Sequence, residues 1–160
     1  MNFSTLFRLR ENLNLDKKTL VILRWIAIIG QLTAINLVYF YLKLDFPIVI
    51  AHLILFFGFL TNSYLQFGIR SITIKDFYAS IFLIYDLLQL TALLYLTGGI
   101  SNPFSILMII PAIVSSTFLS MGTTIILGIL TIGSLFLLTI FHYPLPGIHD
   151  HSITFPKLYL

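Results

Sequence analysis

Five apolar runs divide the chain, each close to the length of a membrane-spanning helix. They cover Leu20–Leu42, Phe46–Phe67, Phe77–Thr97, Phe104–Leu119 and Thr123–His142. About 20 mostly apolar residues suffice for a helix to cross the hydrocarbon of a bilayer. A sixth run starts near Phe155 and is cut short at Leu160, so the chain reads as a truncated one. The pattern predicts an all-α, polytopic transmembrane helix bundle of five spans plus the start of a sixth. The connections are short: Lys43-Leu44-Asp45, Gly68 to Asp76, Gly98 to Pro103 and Ser120-Met121-Gly122. A longer segment, His142 to Pro156, is interrupted by Pro144, Pro146, Gly147 and Pro156, which block regular structure. No internal repeat is visible, so the repeat signature of many transporters is missing.

Composition strengthens this picture. Of the 160 residues 58% are hydrophobic and only 9% charged, with a mean hydropathy of +1.00. Soluble domains are about a quarter charged, so these residues cannot cover their own surface in water. The net charge of +3 does not point to nucleic acid, because the basic residues flank apolar runs and no basic patch is interleaved with aromatics. With the N-terminus in the cytoplasm, Arg8, Arg10, Lys17, Lys18, Arg24, Arg70 and Lys75 fall inside and only Lys43 and Lys157 outside. This is the positive-inside distribution. Residues 1–19 therefore read as a cytoplasmic N-terminal segment and 20–160 as a transmembrane domain. The first apolar run is too long for a signal-peptide core and reads as an uncleaved anchor. There is no cysteine, hence no disulfide or thiolate site.

The most informative segment joins the third and fourth runs: Gly98-Gly99-Ile100-Ser101-Asn102-Pro103-Phe104. Glycine accepts the left-handed conformation that closes a helix. Asn102 stands where an N-cap belongs and Pro103 at the first helical position. The first turn of a helix has unpaired backbone N–H groups and the positive end of the dipole. Phe104 adds a flat apolar face. A lipid-soluble molecule with carbonyl oxygens, such as a quinone, suits that combination; on spacing alone the favoured account is a tight turn that merely joins two helices.

Asp86 falls near the middle of the third run, where a charge costs about 2.5–3.5 kcal/mol. Gln89, Leu93 and Thr97 follow on the same helical face, making a partly polar stripe toward Gly98. It reads either as a polar path coupled to the turn or as an interhelical clamp, with a protonated Asp86 facing Gln31, Asn36 or Asn62. Arg24 is expected to snorkel to the inner headgroups beside an interfacial Trp25. Gly30 with Ala34, Ala112 with Ser116 and Ser120, and Thr124 with Gly128 are small-residue pairs expected to pack helices. His149-Asp150-His151 is read as a solvated loop and no metal site is assigned. Phosphate loops, nucleophile elbows and zinc-protease helices are all missing from the sequence, so no catalytic residue is assigned.

These residues carry a resemblance. Tyr85-Asp86-Leu87-Leu88-Gln89 through Phe104, together with Leu23-Arg24-Trp25-Ile26-Ala27 and Gly30-Gln31, is similar to the membrane domain of the RegB/PrrB/ActS redox-sensing histidine kinases of proteobacteria. That family carries a GGxxNPF heptad in an outside loop between its third and fourth helices. Gly98, Gly99, Asn102, Pro103 and Phe104 match its five fixed positions. The resemblance implies a bacterial inner-membrane sensor that binds ubiquinone at this heptad and reports the quinone pool. It also implies a homodimer and, in the parent, an ATP-dependent kinase portion that passes phosphate to a response regulator. The family has six helices, a phosphoacceptor histidine and a cytoplasmic redox cysteine. None of the four histidines here is placed to be that phosphoacceptor, and the cysteine has no counterpart. The competing expectation is a small membrane subunit or transporter-like fragment that uses Asp86 in proton or solute movement.

Overall fold

The computed structural model describes residues 16–41, 43 and 45–143. Four helices in it are long and apolar enough to cross a membrane: α1 (Lys17–Tyr41), α2 (Ile48–Gly68), α3 (Asp76–Leu96) and α5 (Met121–Ile140). Between the last two lies the shorter apolar helix α4 (Pro103–Phe118). These bounds lie within about three residues of the apolar runs, since hydropathy and turn chemistry agree at each end. The expected sixth run, near Phe155, lies outside the described residues.

Helix α4 starts as a 3₁₀ helix over Pro103–Ile109 and becomes α-helical over Ile110–Phe118. Pro111 is the local cause: it has no N–H to give to Leu107, and its ring crowds that carbonyl. The Ile110 N–H takes the Leu107 carbonyl instead, closing the tighter winding. A 3₁₀ turn rises about 2.0 Å per residue against about 1.5 Å in an α-helix. The 7 and 9 residues together reach about 28 Å, nearly the thickness of the hydrocarbon.

Helix α3 is the centre of the bundle. It packs on α2, α4 and α5, while α1 leans on α2 and α4 on α5. Leu83, Leu87, Leu90 and Leu94 follow one another on one face of α3 and are buried with Leu20, Leu65, Met108, Leu127 and Leu138. A second cluster at the other end joins Ile35, Phe46, Ala51, Leu55, Leu93 and Leu96. The outer surface is isoleucine and phenylalanine, including Ile26, Val49, Phe56, Ile106, Ile129 and Phe136. Polar side chains are inside instead: Asn62, Gln89, Ser115, Thr123, Thr131 and Ser134 are all buried. Apolar residues outside and hydrogen-bonding residues inside is the arrangement lipid imposes, and the chain is membrane-embedded.

The small-residue pairs behave differently from expectation. A methyl group added at Gly30 or Gly128 would meet nothing, so neither brings two helices together. On α4, Ser115 faces α5, with its hydroxyl 3.1 Å from that of Thr124. The close approach is at Gly58 on α2, where a Cβ would fall 2.3 Å from Gln89 Oε1.

At the end of the bundle holding the α2–α3 and α4–α5 connections, Asp76 ties the first turn of α3 to the start of α5. Its carboxylate accepts from the Ser120 N–H at 2.8 Å, the Ser120 hydroxyl at 2.8 Å and the Thr123 hydroxyl at 2.7 Å. The Ser120 hydroxyl in turn caps α5 at the Thr123 N–H. Nearby, Lys17 donates to the carbonyls of Gln66 and Ile69, and its N–H to Ile72, pinning α1 to the α2–α3 loop. Asp76→Ala removes an acceptor from three donors. It is expected to lower stability by about 1–2 kcal/mol, read as a lower melting temperature in detergent with helix content unchanged.

Candidate functional site

A buried ion pair joins α1 to α3. Both helices run the same way from the same end of the bundle. Arg24 therefore starts about 10 Å in and Asp86 about 15 Å in, a difference the arginine stem covers. Arg24 Nε lies 3.0 and 3.1 Å from the two Asp86 oxygens, and Nη2 lies 2.9 Å from Oδ1. Nη2 also donates to the Thr61 hydroxyl of α2 at 3.0 Å. The guanidinium stacks on Phe82 and Tyr85, at 4.9 and 5.7 Å from the ring centres. Arg24 is 2% exposed, so the expected snorkelling to the headgroups does not occur. A carboxylate at reach in an apolar bundle outbids water that the side chain would have to travel to meet. The clamp on Asp86 is thus Arg24, and neither Gln31, Asn36 nor Asn62 takes that place. The remaining Arg24 nitrogen, Nη1, is buried without a partner among the described residues.

The other members of the proposed clamp find their own bonds. Gln89 Nε2 donates to Gln31 Oε1 at 2.8 Å, a second polar link between α3 and α1. Asn62 reaches the Val21 carbonyl at 3.3 Å, and Asn36 bonds back to Leu32 within its own helix. Trp25 sets its indole N–H on Gln66 at 3.0 Å.

The turn at 98–104 has the backbone its sequence predicts. Gly98 has φ 100° and Gly99 φ 62°, both left-handed. Gly99 is also required by contact: a Cβ there would lie 2.6 Å from His142 Cβ and 2.8 Å from the Leu138 carbonyl. The chain after α5 presses against this turn, and the Tyr143 N–H bonds to the Tyr95 carbonyl at 2.9 Å. Asn102 caps α4, its Oδ1 accepting from the Phe104 N–H at 2.9 Å with Pro103 first in the helix. Its amide group donates back to Thr97, to the hydroxyl at 2.8 Å and the carbonyl at 3.2 Å. The expected free amide hydrogens are not there. Pro103 has none, Phe104 gives its own to Asn102 Oδ1, and Ser105 gives its own to the Asn102 carbonyl at 2.9 Å.

Between α1, α3 and α4 lies a cleft of about 350 Å³, within the range of small-molecule sites. From α1 it is lined by Leu20, Arg24, Ala27, Gly30, Gln31, Ala34 and Val38. Leu83, Asp86, Leu90, Leu94 and Thr97 line it from α3; Asn102, Phe104, Leu107, Pro111 and Val114 from the turn and α4. Gly30 and Ala34 keep it open, which is what their small size does here. Of the seven sequence-chosen residues, Asp86, Asn102 and Phe104 share this wall. Gly98, Gly99 and Pro103 shape the turn behind it, and Gln89 stands behind Gln31. Sequence reasoning missed Pro111, sent Arg24 to the headgroups and offered Gln31 only as a partner for Asp86. The available signal for Arg24 was a basic and an acidic residue at comparable depth in two parallel spans.

The site is set beside known proteins through one curated relative. The chain is 38% identical over 152 residues to "Sensor histidine kinase RegB" of Cereibacter sphaeroides, an alignment covering 89% of this chain and 31% of that protein. The chain is a relative of a RegB-type sensor kinase. It spans about a third of the length of that curated relative. No family model and no solved structure matches it.

Two stability measurements check this geometry. Arg24→Gln or Asp86→Asn alone leaves one buried group without its partner and is expected to cost about 3 kcal/mol or more. The double variant R24Q/D86N should recover most of that loss in thermal melts of the detergent-solubilised chain; additive losses would count against the pair. Gly99→Ala, at a positive φ and against a backbone oxygen, should cost about 1–3 kcal/mol in the same assay.

Proposed function

We propose that this chain is the membrane sensory portion of a RegB-like sensor histidine kinase, and that its cleft takes ubiquinone from the membrane pool. One observation carries the reading. A single apolar cleft joins the heptad residues Asn102 and Phe104 to a buried ion pair with an unused donor. A quinone has a flat ring with two acceptors and an apolar tail, and its quinol has two hydroxyl donors. The occupant that fits is apolar along its length and carries an acceptor at one end. Only a difference in affinity between the two redox forms shifts the helices between states.

The sensor works in the bacterial inner membrane with five spans and a cytoplasmic N-terminus. The approximately 28 Å rise of α4 supports its counting as a span. Arg24 is spent in the ion pair, which leaves six basic residues for the inner side against two outside, and the bias keeps its sign. The parent protein acts as a homodimer; its kinase portion uses ATP and hands phosphate to a response regulator. The competing reading, a transporter-like subunit moving protons through Asp86, loses support because both carboxylate oxygens are held by Arg24.

Binding of decylubiquinone to the chain in lipid nanodiscs tests the site. Phe104→Ala removes an apolar wall, and Asn102→Ala removes the cap that shapes the cleft's end. Each is expected to weaken binding about tenfold or more, the equivalent of about 1.4 kcal/mol. Ile129→Ala, on the lipid-facing surface of α5, should leave it unchanged. Full binding by both cleft variants would place the quinone elsewhere.

A further inference from the structure

The start of α4 has its hydrogen-bond donors taken up. Its helix-opening amides and the Asn102 side chain are all engaged within the turn. A carbonyl oxygen entering there meets Phe104 and no unused donor from these groups. Asp86 lies eleven residues before Thr97 on α3, about 16 Å from the turn along the helix. At that depth the same cleft holds Arg24, 2% exposed, with Nε and Nη2 engaged and Nη1 unpartnered among the described residues.

We infer that Arg24 holds the headgroup of the cleft's ligand, Nη1 donating to a quinone carbonyl oxygen, while the turn at Phe104 packs the apolar tail. This rests on the reading of the cleft as a quinone site and divides that site in two. Arginine has donors and no acceptor. A quinone carbonyl completes the guanidinium, whereas a quinol hydroxyl brings a donor to a donor. The Asp86 oxygens already accept from Arg24, so a quinol must compete with the ion pair for them. Arg24 therefore sets the preference for the oxidised form, and the heptad sets the shape of the path to it. Because Nη2 also holds Thr61, a ligand at Nη1 touches the junction of α1, α2 and α3.

Two measurements test this. In the first, decylubiquinone and its quinol are titrated onto the chain in nanodiscs, as wild type, Arg24→Lys and R24Q/D86N. Lysine keeps a positive charge for Asp86 on a single nitrogen, which cannot stand at the three guanidinium positions that face Asp86, Thr61 and the carbonyl; the double variant leaves no charge buried alone. The expected result is a drop of about tenfold or more in affinity for the quinone and little change for the quinol. The oxidised-over-reduced ratio then falls toward one, which a purely structural loss would not single out. Retention of that ratio by either folded variant overturns the role of Arg24. If only Asn102→Ala and Phe104→Ala weaken binding, the cleft stands as the site and Arg24 does not hold the headgroup. If no variant has any effect, both readings fall. The second measurement needs no variant. A ring-azido quinone photolysed on the wild-type chain should label α1 around Arg24, and labelling confined to residues 98–104 overturns the inference.

Discussion

Everything in this bundle is arranged around one guanidinium that has no water to turn to. In hydrocarbon an arginine and an aspartate each cost several kcal/mol unless they meet. Arg24 and Asp86 meet with two nitrogens on two oxygens, and Thr61 supplies a further acceptor. Three helices converge on that point. Helix α1 has extensive packing only with α2, so its position relative to α3 depends on this pair and on the bond between Gln31 and Gln89. The cleft is a result of the same constraint: polar links hold α1 near α3, and small residues at Gly30 and Ala34 keep it from closing.

The end of the cleft beside the 98–104 turn is made by backbone chemistry. Two left-handed glycines end α3, Asn102 starts the next helix, and Pro103 fits the first position because its missing N–H is not needed. Gly99 has a second duty, admitting the end of α5 to within contact of the turn. Pro111 then winds the start of α4 tightly and also lines the cleft. A motif that looks like a ligand cradle in sequence thus has its Asn102 side chain and its helix-opening amides bonded within the turn. Among the described residues, a buried guanidinium nitrogen without a partner stands a cleft-length away.

The relation to RegB covers most of this chain and under a third of that protein. What the chain itself has is a membrane bundle tied down at the end where α1 begins. Lys17 is bonded to the carbonyls of Gln66, Ile69 and Ile72, and Asp16 pairs with Thr73. The helix that forms one wall of the cleft is therefore fastened to the loop between α2 and α3. A change at the Arg24 junction and a change at that loop act on one helix.

The spans were legible in the sequence because lipid rewards long apolar runs wherever they occur. The turn at 98–104 was legible because its dihedral angles belong to glycine, asparagine and proline locally. The inward direction of Arg24, the contact of Ser115 with Thr124 and the open space beside Gly30 were not. Each depends on which helix stands next to which, at what depth and rotation, and a one-dimensional pattern holds no such distances. The free amides expected at the start of α4 failed for the same reason. Whether a donor is unpaired is decided by where the neighbouring acceptors end up, and only the folded bundle puts Asn102 on Phe104 and leaves Arg24 with a nitrogen to spare.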